Sequence, residues 1–129
     1  MAVQPKKVLV VEDDEVIVVL ISHILTRSSY VVHTTLDAVE ADSMIDGGQY
    51  DAILLDLKMP HGGVDLIQRL AQRNPSILSK IIVVTGAFDE AAKISGVPVH
   101  AIVRKPFEVG ELLDTVRACV DGCGESERK

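Results

Sequence analysis

Cysteine is scarce in this chain: Cys119 and Cys123, near its end, are the only two among 129 residues. A disulfide framework needs more of them and a secretory context. A zinc centre needs two further ligands, and no His pair stands at a suitable spacing. Both cysteines are read as ordinary small residues on or just past a terminal helix. Basic residues are also in the minority, thirteen Lys and Arg against nineteen Asp and Glu, for a net charge of −6. That balance argues against nucleic acid as the main partner, because phosphate contacts need clustered Lys and Arg. Long apolar runs are missing too. The longest, Val16–Ile21, falls far short of a membrane span, and MAVQPKK leads into a strand-like run with no signal-peptide core. The expectation is a soluble, cytoplasmic protein with no direct nucleic-acid or membrane contact. No internal repeat or low-complexity stretch is present, and the length suits one domain.

What the chain does have is alternation. Short apolar runs at Lys7–Val11, Tyr30–Thr34, Ala52–Leu55, Ile81–Val84 and Val99–Val103 are separated by longer amphipathic stretches. Three of the runs are nearly continuous β-branched and Leu residues, which suits strands covered on both faces. Glu15–Arg27 carries apolar residues at 17, 20, 21, 24 and 25, one helical face. Leu36–Asp46, Val64–Arg73 and Glu108–Val120 have similar spacing, whereas Asp89–Ser95 predicts only a brief helix. Alternating β and α elements imply a parallel sheet with helices on both faces. Residues 1–121 read as the folded domain and Gly122–Lys129 as a flexible tail.

Ligands of such sheets bind at the carboxyl ends of the strands. Glu12-Asp13-Asp14 follows strand 1, Asp56 follows strand 3, Thr85 follows strand 4 and Lys105 follows strand 5. Grouped carboxylates repel one another unless a cation joins them, and hard oxygen donors favour Mg²⁺. A lysine and a hydroxyl beside them complete a site for a phosphoryl group in transit, with a carboxylate as nucleophile. Alone, each residue has a plainer explanation. The acids suit the start of helix 1, where Asp14 is the expected cap. Asp56, Thr85 and Lys105-Pro106 suit turns. The combination across four strand ends is what singles out the phosphoryl chemistry.

The segments VLVVEDD, ILLDLKMP, VVTGA and VRKPF, in that order, resemble the receiver domain of two-component response regulators over nearly the whole chain. The resemblance implies a flavodoxin-like three-layer sandwich with strand order 2-1-3-4-5, here with a short or irregular fourth helix. It implies Asp56 as phosphoacceptor and Mg²⁺ as cofactor, held by Glu12, Asp13, Asp56 and the backbone carbonyl of Lys58. It implies that Thr85 contacts the phosphoryl group, that Lys105 pairs with that group or with Asp56, and that the peptide before Pro106 is cis. Met59-Pro60 and Gly62/Gly63 would shape the loop beside the acceptor. The implied donors are a sensor histidine kinase or a histidine phosphotransfer protein. A downstream protein target is implied without being identified, and a homodimer is left open. The domain would assist its own phosphorylation and hydrolysis and turn over no separate substrate.

Three departures stand out. Ile102 occupies a position where many receivers carry Tyr or Phe. The interval from Thr85 to Lys105 is shorter than the family pattern. Val18 and Val19 replace commonly polar residues and are expected off the core-facing stripe, either as a docking or self-association patch or covered by neighbouring side chains. Two rivals come from other classes. An aspartyl-nucleophile phosphatase would place a second acid where Lys58 stands, and a flavin sandwich would need Ser, Thr or Gly after strand 1. A pseudo-receiver with a silent site would have no need of all five residues Glu12, Asp13, Asp56, Thr85 and Lys105.

Overall fold

Apolar runs without polar interruption have no face to give to water, so they take the middle of a sheet. The computed structural model describes residues 5–59, 62–86 and 88–122, side chains excepted at 88 and 89. Its central strands are β1 (Lys7–Val11), β3 (Ala52–Leu55) and β4 (Ile81–Thr85), flanked by β2 (Val31–Thr35) and β5 (Ala101–Arg104). All neighbours pair in parallel, in the order β2-β1-β3-β4-β5. The edge strands are the wet ones: β2 buries only Thr35 fully and β5 only Val103. This is the flavodoxin-like sandwich that the family resemblance implies.

The helices are α1 (Glu15–Arg27), α2 (Ala38–Gly47), α3 (Gly63–Arg73), α4 (Phe88–Ala92) and α5 (Val109–Val120). Their starts follow from local chemistry. Asp14 caps α1 by accepting the Val16 N–H at 3.0 Å, and Asp37 caps α2 by accepting the Val39 N–H at 2.8 Å. Asn74-Pro75 ends α3, and a 3-10 turn over Pro75–Lys80 leads into β4, a feature the periodicity does not announce. With only five residues, α4 is as brief as expected. Pro60, Cys123 and the remainder of the tail lie outside the described residues.

Alternation along each strand sorts the core into two layers. Leu9, Val11, Ile53, Leu55, Ile81 and Val83 face α2 and α3, meeting Ala41, Ile45, Leu66, Ile67 and Leu70. Val8, Val10, Leu54, Ile82 and Val84 face α1 and α5, meeting Ile21, Leu25, Leu112 and Val116. Each fully buried Leu or Ile contributes about 1.5–3 kcal/mol. The sheet is therefore held rigid from both sides, and its carboxyl edge is a fixed platform.

The phase of α1 differs from the sequence reading. Its buried residues are Val18, Ile21, Ile24 and Leu25, while Leu20 is 43% exposed and Val19 67% exposed. Val18 thus packs inward, and the expectation that Val18 and Val19 both face out holds only for Val19. Val16 joins Val19 and Leu20 on the outer face. In an unbroken six-residue apolar run, hydrophobicity alone does not set the helical phase. Packing against β1 and β2 does.

Candidate functional site

The register of β1 and β3 pairs Val11 with Leu55, so Glu12 and Asp56 leave the sheet side by side. The Asp56 N–H donates to the Val11 carbonyl at 3.0 Å, and the Glu12 N–H donates to the Thr35 carbonyl at 3.1 Å. Both acids are buried, whereas Asp13 is open to solvent. One carboxylate oxygen from each of Glu12, Asp13 and Asp56 lies within 4.8 Å of the others. Lys58 is exposed and donates its N–H to Asp56 Oδ1 at 3.1 Å. Two glycines shape the loop that follows. Gly62 has φ of +83°, which L side chains rarely adopt, and a Cβ on Gly63 would stand 2.3 Å from the Asp56 carbonyl oxygen.

From the other side of the sheet comes the cation. β4 and β5 pair Thr85 with Arg104, and the Lys105 N–H donates to the Thr85 carbonyl at 3.1 Å. The Lys105–Pro106 peptide is cis, as the resemblance implies. Lys105 Nζ lies 2.7 Å from Glu12 Oε1 and 3.3 Å from Asp56 Oδ2. Asp56, Lys58, Thr85, Gly86 and Lys105 line a cleft of about 280 Å³ at this edge.

Burial pushes the Glu12 carboxyl up to about 6, and the charge of Asp56 pushes the same way. The hydrogen bond from Lys105 only partly offsets them. Burial by itself would lower the Lys105 ammonium, but the bond to Glu12 and the charge of Asp56 outweigh it and raise it above the usual lysine range. Three acids and one lysine leave an excess of negative charge at this edge. The donor set suits a hard divalent cation: all three side chains offer carboxylate oxygens, and one lies open to water. Neither Cys nor His belongs to the cluster, so a soft metal is disfavoured.

The residues singled out from the sequence therefore gather at one sheet edge. Two features were not read from it. One is the Glu12–Lys105 pair, the shorter of the lysine's two contacts, where the expectation paired Lys105 with the phosphoryl group or Asp56. No spacing rule signals a pair 93 residues apart. The other is Gly86, which reads only as a turn residue after Thr85. Ile102 sits on edge strand β5 and is 47% exposed.

The chain matches the family model for the response regulator receiver domain over residues 8–117. It is 31% identical over 115 residues to the transcriptional regulatory protein TcrA of Mycobacterium tuberculosis, covering 87% of this chain and 45% of that protein. It is 34% identical over 116 residues to the alkaline phosphatase synthesis transcriptional regulatory protein PhoP of Bacillus subtilis, covering 88% and 48%. The chain thus spans about half the length of these curated relatives. Among solved structures, it superposes on a CheY-like response regulator receiver domain protein from Methanospirillum hungatei JF-1 with a TM-score of 0.84, 25% identity and coverage of 95% and 99%. Sequence and fold agree that the chain belongs to the response regulator receiver domain family of two-component signalling.

Proposed function

We propose that Asp56 accepts a phosphoryl group in a Mg²⁺-dependent reaction, from a sensor histidine kinase or a histidine phosphotransfer protein. Phosphorylation then changes the domain's affinity for a downstream protein. The observation that carries this reading is the setting of Asp56. Its carboxylate lies between the Lys58 N–H and Lys105 Nζ, with Glu12 and Asp13 oxygens within 4.8 Å.

In this reading the Asp56 carboxylate is the nucleophile towards phosphorus. Lys105 lies within reach of both Asp56 and Glu12, so its ammonium can turn to an incoming phosphoryl oxygen without leaving the site. The Thr85 hydroxyl, on the wall of the same cleft, is assigned to a second phosphoryl oxygen. Glu12, Asp13, Asp56 and the Lys58 carbonyl are the assigned metal ligands. When bound, Mg²⁺ supplies positive charge against the oxygens of the transferring group. The family is a signalling domain rather than a classical enzyme. Residues 1–121 are assigned to the domain, which assists only its own phosphorylation and hydrolysis.

The test is incubation with Mg²⁺ and acetyl phosphate or beryllofluoride, beside Asp56→Asn. The expected result is an adduct in the parent protein and none in the variant. No Asp56-dependent adduct under any condition would favour a pseudo-receiver interaction module instead.

A further inference from the structure

The opposite edge of the sheet carries a second, larger concavity. It lies at the amino ends of the strands, between the residues leading into β1, the β2 start, the α2–β3 turn and the 3-10 turn before β4, with a volume of about 830 Å³. That is within the usual range for small-molecule sites. Nothing in the phosphoryl chemistry at the carboxyl edge uses it.

Three lysines, Lys6, Lys7 and Lys80, line this cleft. Among the described residues none of them is in an ion pair. Lys7 Nζ instead stands over the Tyr50 ring, 5.2 Å from its centroid. The cleft also holds two acids, Asp46 and Asp51. Asp46 meets Arg73 at 3.1 Å, and Asp51 Oδ2 accepts the Lys7 backbone N–H at 2.8 Å. Three ammonium groups against two carboxylates leave a small local excess of positive charge at this concavity, in a chain of net charge −6. Gln49, Asn74 and Ser76 add hydrogen-bonding groups to its wall, and Val31, Ile45 and Ile77 add apolar surface.

We infer that this cleft binds a small molecule bearing two or more phosphate groups. A single carboxylate would satisfy one ammonium and leave two. A diphosphate can meet several at once through charge-assisted hydrogen bonds. A long nucleic acid is disfavoured, because the chain as a whole is acidic, with a net charge of −6.

The probes are inorganic pyrophosphate and a nucleoside diphosphate, titrated by calorimetry and by amide NMR at low ionic strength. EDTA is present, so the carboxyl-edge acids hold no metal and repel phosphate. The expected result is saturable one-to-one binding, with the shifts centred on Lys6, Lys7, Asp51 and Lys80. Lys6→Ala with Lys80→Ala should weaken it by about tenfold or more, and added salt should weaken it further. Both lysines are exposed, so thermal melting should be unchanged in this variant. Charge reversal at one position, Lys80→Glu, provides a second check and should weaken binding as well. Asp56→Asn should bind like the parent. Absence of saturable binding, undiminished binding by the double variant, or loss of binding in Asp56→Asn would each overturn the inference.

Discussion

Gly63→Ala tests whether the loop after β3 is held to the tolerance the structure implies. A Cβ at this position would meet the Asp56 carbonyl oxygen at 2.3 Å, the Leu57 Cα at 2.8 Å and the Leu57 carbonyl oxygen at 3.0 Å. Every one of these is a backbone atom, so no side chain can swing aside. Ordinary contact begins near 3.4 Å, so either the α3 start or the Asp56–Leu57 segment must shift by about 1 Å. Overpacking of this kind costs about 1–3 kcal/mol, which for a domain of this size lowers Tm by roughly 3–15 °C. Because the clash falls on the peptide of the acceptor itself, Asp56 moves against Glu12, Asp13 and Lys105. Misplacement of a reacting group by about 1 Å can cost about a hundredfold in rate. The assay is thermal melting together with the rate of Asp56 modification by acetyl phosphate in Mg²⁺. Gly110→Ala is the matched control, since nothing lies within 4 Å of its Cβ and it sits within α5. There the same chemical change should stabilise by up to about 1 kcal/mol through helix propensity. A Gly63→Ala protein that melts at or above the parent temperature, with an unchanged modification rate, would refute the reasoning.

Other predictions follow from the same geometry. Glu12 is protonated in both states below about 4.5, but between 4.5 and about 6 only the folded state holds the proton. Its contribution to stability therefore falls as pH rises through that window, by about 2 kcal/mol in all. The difference in denaturant stability between the parent and Glu12→Gln should show this slope, and a flat difference would contradict it. Asp56→Asn removes a charge that raises Glu12, so the Glu12 carboxyl should titrate lower in that variant when followed by carbon NMR. Leu70→Ala, at a fully buried position on α3, should cost about 2–5 kcal/mol in urea unfolding. Asp42→Ala releases Arg69 and Arg73, which bridge α3 to α2 at 3.2 and 2.5 Å. As these groups are partly exposed, the loss should be only about 1 kcal/mol and should shrink in high salt.

Much of this molecule is legible in one dimension. The uninterrupted apolar runs of β1, β3 and β4 announce central strands, because a strand buried on both faces has no polar positions. Asp14 marks the start of α1, since a short side-chain acceptor is what a free helix N–H requires. The chemistry of the site is legible as well, because each strand of a parallel sheet ends on the same edge and its next residue is named by position. Tertiary structure alone decided the rest. The phase of α1 needed the sheet beneath it, and so Val18 went in while Leu20 stayed out. The choice of Lys105 between Glu12 and Asp56, at 2.7 against 3.3 Å, depends on how strand ends converge in space. So does the burial that pushes Glu12 up to about 6. The cleft at the amino edge depends on the same long-range geometry, since its three lysines come from two segments more than seventy residues apart. Local patterns record what a residue can do with its neighbours in sequence. Desolvation and charge pairing are set by neighbours in space, which only the folded chain supplies.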